Sequence, residues 1–345
     1  MRGLTLLRHQ AWYNHVMRIV LWIRKYPGLI AAVGFVSGLA SFFLVKRHDG
    51  LAKIIAIVLL VSWLWLVLEG LLRGLIERYL KFSIPVSVLR YLTQLVHQES
   101  LFFILPFYLV TTTWLSGQLI FTGLLIIAAL VSITDPLYYR ALAPRRWLYL
   151  AYHSLALFSA LLCVLPLLLH ISTARSFELA LLGTLILSLP SFASLLGLRS
   201  CKHFLAVVIS VVGVGFIAWG LRAWVPPATL WLKEAHISQQ LDRSQKKPSA
   251  PVTTINVQTL KAKGLYAYAA IRAPRGLNER IYHQWLHNGQ TIDVIALDIS
   301  GGREEGFRAW SHKRNFPTQP VGHWQVRVIT ESKQLLGTLA FEVTP

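Results

Sequence analysis

The chain has 345 residues, of which 54% are hydrophobic and 14% charged, where a soluble globular domain carries about 25% charged residues. Mean hydropathy is +0.52 and formal net charge +19, which excludes an ordinary soluble enzyme and makes the lipid bilayer the first expected partner. The positive charge is not expected to serve nucleic acid: residues 1–250 carry 23 Lys/Arg against 8 Asp/Glu, residues 251–345 carry 11 against 7, and most of the excess lies between apolar runs, where anionic lipid accounts for it.

Residues 1–28 form a cytoplasmic amphipathic segment. Trp12, Val16, Ile19, Val20 and Ile23 share one helical face, with Arg8, His15, Arg18 and Arg24 elsewhere. The pattern reads as an interfacial helix or as an extension of the first span. No small-residue cleavage site follows the first apolar run, so no cleavable signal peptide is expected.

Apolar runs at 29–45, 54–72, 101–116, 118–134, 147–170, 176–198 and 203–224 approach the roughly 20 residues a spanning helix needs. They predict a polytopic α-helical membrane domain over 29–225 with about seven spans. The third and fourth runs are short and meet at Ser116-Gly117, so they are two tight spans or a re-entrant hairpin. Either count is odd and puts the chain ends on opposite sides. Alternate loops differ sharply in Lys and Arg. Arg2, Arg8, Arg18, Arg24, Lys25, Arg73, Arg78, Lys81, Arg90, Arg140, Arg145, Arg146, Arg199 and Lys202 fall on one side, against Lys46, Arg47, Lys53 and Arg175 on the other. The N-terminus is therefore predicted inside and everything after Trp224 outside.

Ionisable residues at membrane depth mark candidate sites. His97 and Glu99 precede the third run, Asp135-Pro136 ends the fourth, and His153 lies in the fifth with Ser154; His170 closes that run. His97, Glu99, Asp135 and His153 form the candidate intramembrane polar site. The plainer alternative has each satisfied locally, with Asp135 capping a turn before Arg140 and Thr111–Thr113 bonding their own helix backbone. Glu69 and Arg73 have the order of a helical ion pair, and Gly34 and Gly38 the spacing of close helix packing. No polar pair repeats in two halves of the chain, as an inverted-repeat transporter would have it.

Residues 226–252, with Pro226-Pro227, a short amphipathic patch and a Ser/Lys/Pro stretch, read as a linker. From 253 the pattern alternates with period two. Strands are predicted at 254–260, 264–273, 280–287, 291–299, 307–313, 323–330 and 335–343, separated by turn signals such as Asn288-Gly289 and Gly301-Gly302. Seven short strands suggest a C-terminal all-β immunoglobulin-like sandwich over 253–345. Both cysteines, Cys163 and Cys201, precede it, so it depends on its core rather than on a disulfide. Trp324 alternates with Val326 and Val328 and is assigned to that core; Trp285, Trp310 and Trp324 together are the alternative, an aromatic platform. His283 and His287 stand four apart on a strand, about 13 Å at 3.3 Å per residue, too far to share a metal ion. Arg308, His312 and Lys313, with His283 nearby, form a candidate exposed binding patch, whose plain counterpart is a solvated face.

Four fragments of this tail occur in order: His283-Gln284-Trp285 into His287-Asn288-Gly289; Phe307 to Lys313; Gly322 to Val328; and Leu336-Gly337 followed by Phe341-Glu342-Val343. Together they resemble the bacterial extracytoplasmic domain of unknown function 2914, over about residues 255–345. The multi-span part resembles the membrane region found with that domain in proteobacterial proteins. The resemblance implies a bacterial inner membrane with a periplasmic tail, and brings no catalytic residue, cofactor or ligand. G-x-S-x-G, H-E-x-x-H, Walker, G-x-G-x-x-G and C-x-x-C motifs are missing from the sequence. The expectation is a non-enzymatic inner-membrane protein, without cofactor or metal, whose periplasmic domain binds or positions a protein or glycan. The alternative is a small-molecule or lipid-linked transporter, or a membrane enzyme, with its site among the helices.

Overall fold

The computed structural model describes residues 53–66, 86–196, 201–242 and 247–345, together with Val36, Ala40, Leu68 and Ser244. The N-terminal amphipathic segment, Gly34 with Gly38, and the Glu69–Arg73 pair lie outside the described residues.

The helices are α1 (Lys53–Leu66), α2 (Val86–Thr111), α3 (Gln118–Ile133), α4 (Arg146–Leu169), α5 (Thr173–Leu196) and α6 (Cys201–Gly220). Helix α2 starts well before the apolar run at 101, because Gln94, His97, Gln98 and Ser100 are buried polar residues that an apolar scan passes over. Its 26 residues measure about 39 Å at 1.5 Å per residue. After α3 the chain bends by 105° into a π-helical segment, Pro136–Leu142, whose proline sits where a missing N–H costs no helical bond. Among the described residues, two helical stretches, Arg146–Leu169 and Thr173–Phe192, are long and apolar enough to cross a membrane, and a third candidate is α3 with its bent continuation. Helix α1 and Phe204–Gly220 are apolar but shorter.

By packing the chain divides into two compact units. The first comprises Met1–Phe103 and Ile126–Ala156, the second Ile104–Leu125 and Leu157–Pro345. The second contains the whole β region: β1 (Trp231–Ser238), β2 (Leu241–Asp242), β3 (Lys247–Pro248), β4 (Thr254–Asn256), β5 (Leu265–Arg272), β6 (Asn278–His287), β7 (Gln290–Ser300), β8 (Phe307–Lys313), β9 (Gly322–Thr330) and β10 (Leu335–Thr344). One sheet has the order β1-β5-β8 and another β4-β10-β9-β6-β7; β2 and β3 pair as a small ribbon. Residues from both large sheets share one core around Ile237, Leu265, Trp285, Trp324, Val326 and Phe341.

Two expectations are corrected here. The stretch 226–252 is not a plain linker, since β1 inside it pairs along its length with β5 and contributes Ile237 to the core. Residues 257–260 are not strand. Helix α7 (Val257–Lys263) begins where the Asn256 side chain accepts the Thr259 N–H at 2.8 Å, an N-cap. It ends at Gly264, whose φ of 68° suits glycine and where a Cβ would sit 2.5 Å from the Lys313 carbonyl oxygen.

Within the second unit the strands are bonded to helix ends. The Gln118 amide donates to the Leu335 carbonyl at 2.9 Å, the Gln334 amide to the Val225 carbonyl at 2.9 Å, and Glu279 accepts from Thr173. At Gly117 a Cβ would lie 2.9 Å from the Trp224 indole, so glycine is what lets this turn approach the ring.

Candidate functional site

The first unit contains a buried histidine pair. His97 on α2 is fully buried. Its Nε2 lies 3.0 Å from His153 Nδ1 on α4, and its Nδ1 lies 2.9 Å from the Tyr138 hydroxyl on the π-helical segment. Three helical elements thus meet at one imidazole. Rings of Trp63, Tyr149 and Tyr152 stand 5.5, 6.1 and 5.1 Å from the His97 ring, and the Trp63 indole N–H donates to Ser100 Oγ at 2.8 Å. Asp135 belongs to a neighbouring group: the Gln94 amide donates both to its carboxylate and to the Ser132 carbonyl, each at 2.9 Å.

The chain Tyr138–His97–His153 supports two equivalent bond orders. Tyr138 donates to His97, which donates to His153; or His153 donates to His97, which donates to Tyr138. A proton can therefore be passed along it with no side chain moving. The two ring nitrogens face each other at bonding distance, so as arranged they leave no room for an ion between them.

Of the four predicted residues, the structure joins His97 directly to His153. Asp135 stands on the Gln94 branch, and makes no side-chain cap of the following segment. Glu99 is half-buried, and among the described contacts nothing links it to the pair. Tyr138 and Trp63 were not singled out in the sequence, where aromatic residues in apolar runs look like any other core. Removing the central ring in His97→Ala should lower the thermal midpoint of the detergent-purified protein. It removes the partner of His153 Nδ1, at about 1–3 kcal/mol for a group left unsatisfied, and one of the bonds of the Tyr138 hydroxyl, while Glu99→Gln should leave the midpoint near wild type.

In the β region the predicted patch is divided. His283 is fully buried and Lys313 nearly so. His283 Nδ1 bonds Ser311 Oγ at 2.9 Å, and burial pushes its imidazole down to about 4, so it is neutral at pH 7. Lys313 pairs with Asp293 at 2.9 Å. Arg308 and His312 occupy the alternate face of β8, where His312 stacks on Tyr266 at 3.9 Å. The reason is the strand's two-residue period, which sends Ser311 and Lys313 inward and their neighbours outward. The aromatic platform fails in the same way: Trp285 and Trp324 are fully buried, with Trp324 Nε1 donating to the Pro320 carbonyl at 2.8 Å. Thr111 and Thr112 bond the Tyr108 carbonyl of their own helix, as the local alternative has it, but Thr113 Oγ1 donates to the Leu335 carbonyl at 3.3 Å.

Residues 9–267, three quarters of the chain, match the family of unknown function DUF5924. The chain belongs to that family. Residues 278–343 match the protein of unknown function DUF2914, the resemblance read from the tail. The first match runs through the helices and into β5, so the family boundary falls inside the β region rather than at its start. No curated protein matches this chain. Among solved structures, Pseudomonas fluorescens alkylpurine DNA glycosylase AlkC bound to DNA containing an abasic site analog aligns at 12% identity, over 73% of this chain and 99% of that one. The TM-score is 0.22, so it carries no argument.

Proposed function

We propose that this DUF5924 member is a bacterial inner-membrane protein with about seven spans, its N-terminus cytoplasmic and its β region a periplasmic immunoglobulin-like sandwich that binds or positions an envelope protein or glycan. The observation that carries the membrane reading is where large apolar side chains are exposed. They include Ile57, Val61, Ile120, Ile127, Ile186, Ile209 and Phe216 on the helices, whereas among described residues beyond Trp224 only Ile292, Val294 and Val321 qualify. Apolar surface on that scale needs lipid or protein cover. Exposed Trp114, Trp219 and Trp224 at the helix ends suit an interfacial belt, and the Lys/Arg bias supplies the orientation.

The immunoglobulin-like reading draws on strand order. The first, second and fifth long strands share one sheet, while β6, β9 and β10 share the other with β7 at its edge, the division expected of that fold. For binding, the outer face of β5 and β8 offers Tyr266, Arg308, Trp310 and His312, all half-buried. This group replaces the patch read from sequence.

Alkaline phosphatase fused after residue 240 or 345 should be active and green fluorescent protein at either place dark. A fluorescent C-terminal fusion would overturn the odd span count and the placement of the sandwich. Crosslinking in cells from residue 310 would then identify the partner. A second reading, a proton-linked transporter, is favoured by one observation, the Tyr138–His97–His153 chain. Proteoliposomes showing proton uptake that His97→Gln abolishes would favour it over the scaffold.

A further inference from the structure

Glu279, near the start of β6, is 3% exposed, and its carboxylate meets the first turn of α5. Oε2 accepts the Thr173 backbone N–H at 2.7 Å and Oε1 bonds Thr173 Oγ1 at 2.9 Å. Thr173 opens α5, so this N–H has no partner within its own helix. A strand residue 106 positions away supplies the bond that a local cap would otherwise make.

A buried carboxylate is costly unless paired. Among the described residues no Lys or Arg pairs with Glu279. Arg175 in the same helical turn is exposed and bonded to Glu178 at 2.9 Å. Arg280, the next strand residue, is bonded to Asp298 at 3.0 Å. His170 packs against Gly276, whose Cβ would lie 3.0 Å from that ring. Arg275 and Lys333 belong to the adjoining loops, and the nearby α2–α3 turn offers only the uncharged Thr113, Ser116 and Gln118. Glu331, in the β9–β10 turn, adds repulsion.

The contact suits a neutral acid. Protonated on Oε1, Glu279 donates to Thr173 Oγ1 while Oε2 still accepts the N–H, so both bonds survive and the buried charge disappears. We propose that Glu279 is a proton-operated clasp between the β region and the α4–α5 turn, fastened when its carboxyl is protonated and loosened when it ionises.

Burial, reinforced by Glu331 and only partly offset by the two Thr173 bonds, pushes the carboxyl up from 4.5 to about 7. A pKa raised in the closed form means that its stabilisation is complete below about 4.5 and is lost as pH rises through about 7. The closed-to-open ratio should fall by roughly three hundredfold across that window. The direction of the response is independent of the topology proposed above; only the compartment whose pH is sensed depends on it.

The test is hydrogen–deuterium exchange on the full chain in lipid nanodiscs, between about pH 5 and pH 9, with rates corrected for intrinsic exchange. In wild type, protection of residues 170–176 and 278–281 should fall as pH rises, with a midpoint at about 6 and a floor above about 7. Glu279→Gln, whose amide can make both bonds without charge, should keep the low-pH protection throughout. Glu331→Gln should move the wild-type midpoint to lower pH by removing the repulsion, and this variant tests the clasp even if Glu279→Gln does not fold. A wild-type profile that is flat, that rises with pH, or that is unmoved by Glu331→Gln would overturn the proposal.

Discussion

A fragment beginning at residue 226 should fold as a cooperative β protein, whereas one beginning at residue 250 should not. The shorter fragment matches the boundary that composition suggests, but it lacks β1. Without β1, strand β5 loses the partner paired to it from Tyr266 to Arg272, and a central strand becomes an open edge. It also loses Leu230 and Ile237, both essentially fully buried. Burying a side chain of this size is worth about 1.5–3 kcal/mol, so these two residues alone contribute about 3–6 kcal/mol of a domain stability of roughly 5–15 kcal/mol. Far-ultraviolet circular dichroism with urea melts of the two fragments measures the difference. Equal midpoints would mean that β1 merely decorates the sheet and that the domain begins where the alternation does.

Trp324→Ala should unfold the β region or lower its urea midpoint sharply, while Arg308→Ala should shift it little. Trp324 is fully buried, and Phe316 and Phe341 lie 5.2 and 5.9 Å from it, ring centre to ring centre. The substitution deletes the indole, opens a cavity and leaves the Pro320 carbonyl without its donor. Core Trp→Ala changes cost about 3–5 kcal/mol. Arg308 is half-buried on the outer face of β8, where side-chain losses are typically within about 1 kcal/mol. Trypsin sensitivity across a urea series, on the full chain in detergent, compares the two. If Arg308→Ala collapses and Trp324→Ala melts like wild type, the inward and outward faces are the reverse of those described.

Strands β5 to β10 were legible because their signals are local. Period-two alternation and turn residues act over a few positions, and Asn288-Gly289 adopts the φ values of 46° and 84° that a tight hairpin turn needs. The inward setting of Trp324 followed from Val326 and Val328 alone. Parity also separated Lys313 from Arg308, although grouping the basic residues by charge concealed it. The Asn256 cap and Gly264 stop of α7 were equally local, and were missed because a short helix beside a strand looks like more of the same alternation.

Other features depend on partners far away in the chain. β1 is a strand because β5 lies beside it; on its own, Trp231–Ser238 is an amphipathic patch between prolines. His97 and His153 are 56 positions apart and Thr173 and Glu279 are 106 apart, so nothing in their flanking residues announces a bond. Sequence by itself determined the apolar runs, the charge bias and most of the strand periodicity, because each is written in neighbouring side chains. Only the tertiary structure decided which polar groups meet, because burying a polar group demands a partner and the partner is supplied by whichever element packs against it.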